Sequence, residues 1–339
     1  MASRELANSE AMRFTFPTVL AAELSTLAED YDIDSDIRTR AAWLYFMEGM
    51  TQDSVAQTLG ITRARVLRML QTAREDGTVQ IRVTAPLRQC VELERKLERE
   101  YGLERAIVIP KPQDDSKTGA IIGAATGAHL ESELNDGMTI GLGWGRTLSS
   151  SLPYISPRAF NRMIVVSLIG GLTRAAQFNP SEFAWRFADR LGAECYMLAA
   201  PVFAPDPDTR EALMRHPGIS EVFNRAQKLD LAIVSVGDLS PNSTMSRYGL
   251  LDRDDVAGLL KAGAVGDILC RFIDGSGQVL SYPLNDLVIS AAPKTLHGAR
   301  RIILSSGGWE KAPAIKSALR ILEPEVLITD SAVAETLLV

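Results

Sequence analysis

The sequence predicts an α/β protein in two parts: a small N-terminal winged helix-turn-helix domain and a larger, doubly wound α/β domain. Three observations predict it. Residues 51–70, TQDSVAQTLGITRARVLRML, contain two helix starts separated by a glycine turn. From Leu103 onward, short apolar, β-branched runs alternate with spacers long enough to be crossover helices. Nearly all of those runs end in Gly, Ser, Pro, Thr or Asp, residues typical of the place where a strand gives way to a loop.

Residues 1–36 carry Arg4 and Arg13 against eight carboxylates and read as an acidic, solvated extension, with a helical turn or two at Ala21–Leu27. Residues 37–84 form the small domain. From Ile37, Ala41, Leu44 and Tyr45 recur at helical spacing and Gly49 ends the segment, which gives a support helix. Thr51 can cap the next helix, because its hydroxyl can accept from an unpaired backbone N–H. Small Ala56 lets a second helix cross close by. Gly60 takes the turn, where a left-handed residue costs least. Thr62 caps the second helix, in which Val66 and Leu70 share one face. After Asp76-Gly77, Thr78–Val83 alternates as a strand does and gives a short wing, with Arg82 on it.

This spacing matches the motif whose second helix enters the DNA major groove. Candidate DNA contacts are Gln52, Thr62, Arg63, Arg65, Arg68 and Arg74. The bland alternative is a helical hairpin with a solvated arginine face. Charge favours the first reading. The whole chain carries −6, yet residues 37–82 hold seven arginines against four carboxylates, so a basic island sits in an acidic protein.

Pro86 interrupts the chain. Residues 85–102 then form a linker helix, with Leu87, Val91, Leu93 or Glu94, Leu97 and Tyr101 along one face. Residues 103–339 carry the strand candidates Ala106–Pro110, Met138–Gly143, Met163–Gly170, Cys195–Pro201, Leu231–Gly237, Asp267–Ile273, Arg301–Ser305 and Val326–Thr329. Ligands of open α/β sheets sit beyond the carboxyl ends of the strands, so the loops there are the candidate site.

The first loop is Gly141-Leu142-Gly143-Trp144-Gly145-Arg146-Thr147, followed by a helical stretch to Leu152. Its glycines expose N–H groups to an anion, with Thr147 and Arg146 adding a hydroxyl and a charge. It lacks the P-loop lysine, and its third glycine comes too early for a dinucleotide fingerprint. A tight turn alone is the competing explanation. The second loop holds Gly170, Gly171, Thr173 and Arg174, the third Gly237 and Asp238 after Ser235, and the fourth Gly266-Asp267. A carboxylate at Asp267 can accept from sugar hydroxyls or simply cap a turn. The last, SSGGWEK, brings Gly307, Gly308 and Lys311 to the start of another helix. Lys311 can reach a phosphate as a point charge.

Composition bounds the rest. A chain of 339 residues, 46% hydrophobic and 23% charged, can bury a sizeable core. Cys90, Cys195 and Cys270 are far apart and match no metal or redox spacing, which fits a reduced, cytoplasmic protein. His129, His216 and His297 form no cluster, so neither a metal nor another cofactor is expected. The N-terminus has no signal-peptide h-region, and the longest apolar run, from Met163 to Leu172, is too short to span a bilayer.

Five segments together resemble the bacterial SorC/DeoR-type sugar-binding transcriptional regulators: TQDSVAQTLGITRARVLRML, GLGWGRT, GAVGDILCRFIDGSG, SSGGWEKAPAIKSAL and VLITDSAVAETLL. The resemblance implies a winged domain on operator DNA. It implies an effector domain with the fold of ribose-5-phosphate isomerase and glucosamine-6-phosphate deaminase. It also implies a sugar, polyol or phosphosugar effector and a homo-oligomer, dimer or tetramer. By that match Gly143, Gly145 and Thr147 belong to a phosphate loop, Asp267 to sugar contacts and Lys311 to the distal end. The acidic N-terminus and the polar segment 240–246 depart from the pattern. The alternative is an isomerase-like or deaminase-like enzyme with an added DNA-binding domain. It needs a second acid or base beside Asp267, for which Asp238 and Asp274 are the candidates.

Overall fold

The computed structural model describes residues 33–81, 87–172 and 179–339. They fall into two compact units, the first ending at Val79 and the second beginning at Gln80. The acidic stretch before Ile33, Arg82 and the rest of 82–86, and Thr173 and Arg174 lie outside the described residues.

In the first unit three helices enclose a small core: α1 (Ile33–Phe46), α2 (Gln52–Leu59) and α3 (Arg63–Glu75). Thr51 Oγ1 accepts from Ser54 N–H at 3.2 Å and Thr62 Oγ1 from Arg65 N–H at 3.3 Å, so both caps form. Gly60 ends α2 with φ +66°, the left-handed conformation that favours glycine there. Ala41, Val55, Val66 and Ala73 are fully buried, with Ala56, Met69 and Leu70 around them. The support helix starts at Ile33, earlier than Ile37. No strand forms over residues 78–81, so the described half of the wing is absent. The reason is local: Val79 N–H donates to Ala73 O and folds the chain back onto α3 instead of extending it.

The second unit is built on seven parallel strands: β1 (Arg105–Ile109), β2 (Thr139–Leu142), β3 (Ile164–Ser167), β4 (Glu194–Tyr196), β5 (Leu231–Val234), β9 (Ile302–Ser305) and β10 (Val326–Asp330). Three more, β6 (Val236–Gly237), β7 (Ala264–Ile268) and β8 (Arg271–Asp274), form a separate antiparallel sheet. The helices are α4 (Arg88–Tyr101), α5 (Thr118–Glu133), α6 (Arg146–Ser149), α7 (Pro180–Arg190), α8 (Pro207–Arg215), α9 (Pro217–Ala226), α10 (Thr244–Arg247), α11 (Arg253–Lys261), α12 (Ala312–Leu322) and α13 (Ser331–Leu337).

The parallel order is β1-β10-β9-β5-β2-β3-β4. Strand side chains alternate between faces. In β5, Leu231 and Ile233 pack on one face and Ala232 and Val234 on the other. In β10, Val326 and Ile328 oppose Leu327 in the same way. Two cores therefore sandwich the sheet, and its strands read as continuous apolar runs because both faces are covered. One runs under α4, α9, α12 and α13, the other under α5 and α7.

Two expectations are corrected. Residues 267–273 are not one strand of the parallel sheet. Leu269 and Cys270 adopt φ +54° and +61°, which makes a two-residue hairpin turn between β7 and β8. The linker helix α4 packs within the larger unit, burying Cys90, Leu93 and Leu97 and leaving Leu87 exposed. Its Glu98 Oε1 accepts from Ala106 N–H at 3.1 Å and its Glu94 Oε1 from Val108 N–H at 2.9 Å. These carboxylates satisfy the outer edge of β1, which would otherwise stand open at the sheet's end.

Candidate functional site

In the first unit, burial fixes which face of α3 is free. Val66, Met69, Leu70 and Ala73 point inward, so Ala64, Arg68 and Gln71 lie on the opposite face. Arg68 is exposed in the middle of it. Arg63 reaches back to α2, where its Nε is 3.4 Å from Gln52 Oε1 and its Nη1 is 3.7 Å from Asp53 Oδ2. Arg65 is half-buried at one flank. Arg74 lies over the Phe46 ring of α1 at 5.3 Å. The candidate residues thus share one helix pair, with Arg68 central and Arg74 drawn to the support helix.

In the second unit the strand order reverses between β2 and β5. From β2 the chain adds β3 and β4 on one side, then returns to place β5, β9 and β10 on the other. At such a switch point the loops after adjacent strands diverge and leave a crevice. A cleft of about 550 Å³ opens there. It is lined by the segments that follow β1, β2, β5, β9 and β10, and by Asp267 of β7. That volume is within the usual range for a small-molecule site.

Gly145, Arg146, Thr147, Gly237, Asp267, Gly307, Gly308 and Lys311 all meet in this cleft. Gly141, Gly143, Gly170 and Gly171 do not. A Cβ on Gly141 would lie 2.4 Å from Leu229, and one on Gly170 2.7 Å from Ala200 O. Gly143 N–H donates to Ile233 O, and Gly171 abuts Ser181. These four glycines are there for close packing. The helix expected to run to Leu152 is a single turn, α6, so that loop carries no long helix dipole.

Asp267 is 3% exposed, and Asp330 at the cleft's other side is 1% exposed. Asp267 Oδ2 accepts from Cys270 N–H at 2.9 Å across the hairpin turn. Its Oδ1 is buried without a partner. Burial pushes its carboxyl up to about 7, against the pull of the Cys270 N–H and Lys311, and with Asp238 adding to the rise. Lys311 is partly covered by the protein. Its ammonium is held below the usual lysine value, first by burial, while Asp238 and Asp267 oppose and Arg146 adds to the lowering.

Asp238 is the second carboxylate that spacing did not link to Asp267. It is buried, lines the cleft and accepts from Ser240 N–H at 2.9 Å. Asp274 instead caps the turn after β8 through Ser276 and Gln278. Asp330 Oδ2 accepts from Gly308 N–H at 2.7 Å while its Oδ1 caps α13, so one side chain ties the glycine loop to the next helix. Sequence reading also missed Lys111, Asp115, Thr118 and Gly119 beyond β1, and Asn242, Ser243 and Arg247 from the polar segment. Their signal was position after a strand, without a glycine cluster to mark it. Arg146, Arg247 and Lys311 have no ion-pair partner among the described residues, although all three line the cleft. Chemically, the cleft offers buried acceptors in its floor and free cations at its walls.

Among the described residues no group of His, Cys, Asp and Glu could hold a metal, and no helix is long and apolar enough to cross a membrane. Cys90 and Cys270 are buried, and burial pushes the half-buried Cys195 thiol up to about 11.

Comparison with known proteins gives a consistent result. The sugar-binding domain family model matches residues 85–339. The erythritol catabolism regulatory protein EryD of Brucella abortus is 32% identical over 309 residues, covering 91% of this chain and 98% of that protein. The deoxyribonucleoside regulator of Bacillus subtilis is 31% identical over 306 residues, covering 88% and 95%. Among solved structures, the full-length sorbitol operon regulator SorC of Klebsiella pneumoniae superposes with TM-score 0.67 at 26% identity, covering 90% of this chain and 99% of that one.

Proposed function

This chain belongs to the SorC/DeoR-type family of sugar-binding transcriptional regulators, and we propose on that premise how its parts divide the work. It is a transcriptional regulator and not an enzyme: its relatives are named as an erythritol catabolism regulatory protein, a deoxyribonucleoside regulator and a sorbitol operon regulator. Residues 37–84 act as a helix-turn-helix on operator DNA. Helix α3 enters the major groove, with Arg68 toward base edges and Gln52, Thr62, Arg63, Arg65 and Arg74 holding the backbone. Residues 103–339, an isomerase- or deaminase-like effector domain, take a sugar, polyol or phosphosugar. The segment 85–102 connects the two, and 1–36 is an acidic extension. The protein works in the cytoplasm as a homo-oligomer, a dimer or tetramer on symmetric half-sites.

One observation carries the effector reading. Asp267 keeps a buried, unpartnered oxygen in a cleft whose walls hold unpaired cations. An orphaned acceptor is satisfied by a donor, which a polyol hydroxyl supplies. A phosphate, in turn, is met by Arg146, Lys311 and Arg247, with Thr147, Gly145, Gly307 and Gly308 shaping the loop around it. The effector changes DNA affinity only to the extent that it prefers one arrangement of the protein over another.

The test is a thermal-shift screen of sugars, polyols and their phosphates, followed by operator titration with the best ligand. A ligand that binds only the folded protein raises its melting temperature. Lys311→Ala and Thr147→Ala should keep operator affinity without effector and blunt the response to it. An unchanged response in both variants would place the effector elsewhere.

A further inference from the structure

The lining of the cleft is mostly polar, charged or glycine, and its apolar surface is concentrated in one side chain. Among the described residues Trp144, Val236 and Met245 are large apolar members of that lining, and all three are buried. They offer a ligand little area. Trp309 also lines the cleft, and it is 63% exposed. Its indole is therefore the large apolar surface there that a bound molecule can cover.

The backbone beneath the indole is held on both sides. Gly308 N–H donates to Asp330 Oδ2 at 2.7 Å, and Lys311 N–H donates to Gly308 O at 2.9 Å. Ala312 N–H donates to Trp309 O, so the residue opens the short turn that leads into α12. Glu310 Oε2 accepts from Ser240 Oγ at 3.4 Å, which joins this turn to the polar segment 240–246. The ring has no such tie. Among the described residues it stacks on no aromatic ring, carries no cation over its face and donates no hydrogen bond from Nε1. Trp43, exposed on α1 in the first unit, differs in that its Nε1 donates to Glu48 Oε1 at 3.2 Å. Trp309 thus presents a bare ring from a fixed backbone at the edge of a binding cleft.

So large an apolar surface is unfavourable in water, and a ligand that covers it recovers that free energy. The same ligand must give a hydroxyl to the orphaned Asp267 Oδ1 and an anion to the wall cations. An open-chain polyol carries a hydroxyl on every carbon and turns them in all directions. A sugar ring sends most of its hydroxyls outward around its edge and leaves C–H groups on its faces. The ring alone can lay an apolar face on the indole while its edge hydroxyls reach the floor.

We propose that Trp309 determines effector specificity: its indole stacks on the C–H face of a cyclic sugar phosphate and selects it over the open-chain polyol phosphate of equal length and charge. This rests on the reading of the cleft as the effector site. Lys311, two residues on, takes the phosphate, and that anchor sets the ring against Trp309.

The experiment is calorimetric titration of the full chain with two matched pairs: ribose 5-phosphate against ribitol 5-phosphate, and glucose 6-phosphate against glucitol 6-phosphate. The proteins are wild type, Trp309→Ala, Trp309→Phe and Thr147→Ala. In at least one pair the wild type should bind the ring form about tenfold more tightly than the open chain, the scale of one aromatic contact. Trp309→Ala should abolish that difference by lowering ring affinity alone, and Trp309→Phe should keep most of it. Thr147→Ala should weaken both members alike, because the phosphate loop serves both. A Trp309→Ala protein that loses affinity for both members equally, or for neither, overturns the proposal, and a loss in Thr147→Ala then still keeps the effector in the cleft. Tighter binding of the open chain by the wild type overturns it as well. Binding indifferent to Trp309→Ala and Thr147→Ala alike, or no binding of any of the four compounds, overturns both the proposal and the phosphosugar reading beneath it.

Discussion

Gly237 stands directly opposite Asp267 across the antiparallel pair β6–β7, and a Cβ on Gly237 would lie 1.9 Å from Asp267 Oδ1. The absent side chain is therefore what makes room for the buried carboxyl. Gly237→Ala should displace Asp267 and cost about 1–3 kcal/mol, the usual range for overpacking. Operator affinity without effector should persist while the effector response fades. Denaturant unfolding and an operator titration with and without ligand check both halves. A full response in Gly237→Ala would mean that Asp267 does not touch the effector.

The same carboxyl sets a pH dependence. Its value rises from 3.8 to about 7 on folding, so between those limits the folded protein binds a proton that the unfolded chain does not. The stability tied to this group is fully present below about pH 4 and is lost as pH rises through about 7. The span corresponds to roughly 4 kcal/mol at 1.36 kcal/mol per pH unit. Asp267→Asn cannot titrate. Its unfolding free energy should fall less steeply than wild type between pH 5 and about 8, a difference readable by urea titration at each pH. Parallel curves would place the proton elsewhere.

The edge of the main sheet rests on two carboxylates. Glu94 and Glu98 accept from Val108 and Ala106 N–H, and no strand lies beyond β1. Glu94→Ala or Glu98→Ala should each destabilise the larger unit by about 1–3 kcal/mol, because the N–H of a buried residue loses its acceptor. The double variant should also aggregate more readily, since an open edge invites another strand. Light scattering on warming reads the second effect. Glu94→Gln, whose amide oxygen still accepts, should lose less than Glu94→Ala.

What the sequence disclosed and what it concealed follow one rule: local patterns were legible, distant pairings were not. Thr51, Gly60 and Thr62 act on neighbours a few residues away, so their spacing announced both helices of the pair. The apolar runs announced the strands, because a sheet covered on both faces leaves continuous hydrophobic stretches. Gly145 and Gly308 could be placed in a cleft because each lies between an apolar run and the start of a helix. Gly141 and Gly170 look the same in the sequence, yet they serve packing against Leu229 and Ala200. Asp238 and Asp267 are far apart in the chain, and only the pairing of β6 with β7 brings them together. The hairpin at Leu269-Cys270 was hidden for a different reason. Neither residue is a usual positive-φ type, so a run such as DILCRFI reads as one strand.

The arginines of α3 differ in what the fold already asks of them, and that difference predicts how DNA binding divides among them. Arg74 lies against Phe46 and Arg63 against Gln52 and Asp53, so each is partly committed within the small unit. Arg68 is exposed at the centre of the outward face. Arg68→Ala should weaken operator binding by about 1–3 kcal/mol if it reads a base edge, and relax the preference at that base pair. Were it to meet only a phosphate, binding would fall equally on all sequences and the salt dependence would drop by about one ion. Arg74→Ala should cost less in affinity and more in the stability of the first unit, because it removes the cover over Phe46. Fluorescence anisotropy on operator and scrambled duplexes at several salt concentrations separates these outcomes. Equal, full binding by Arg68→Ala would show that this face of α3 does not enter the groove.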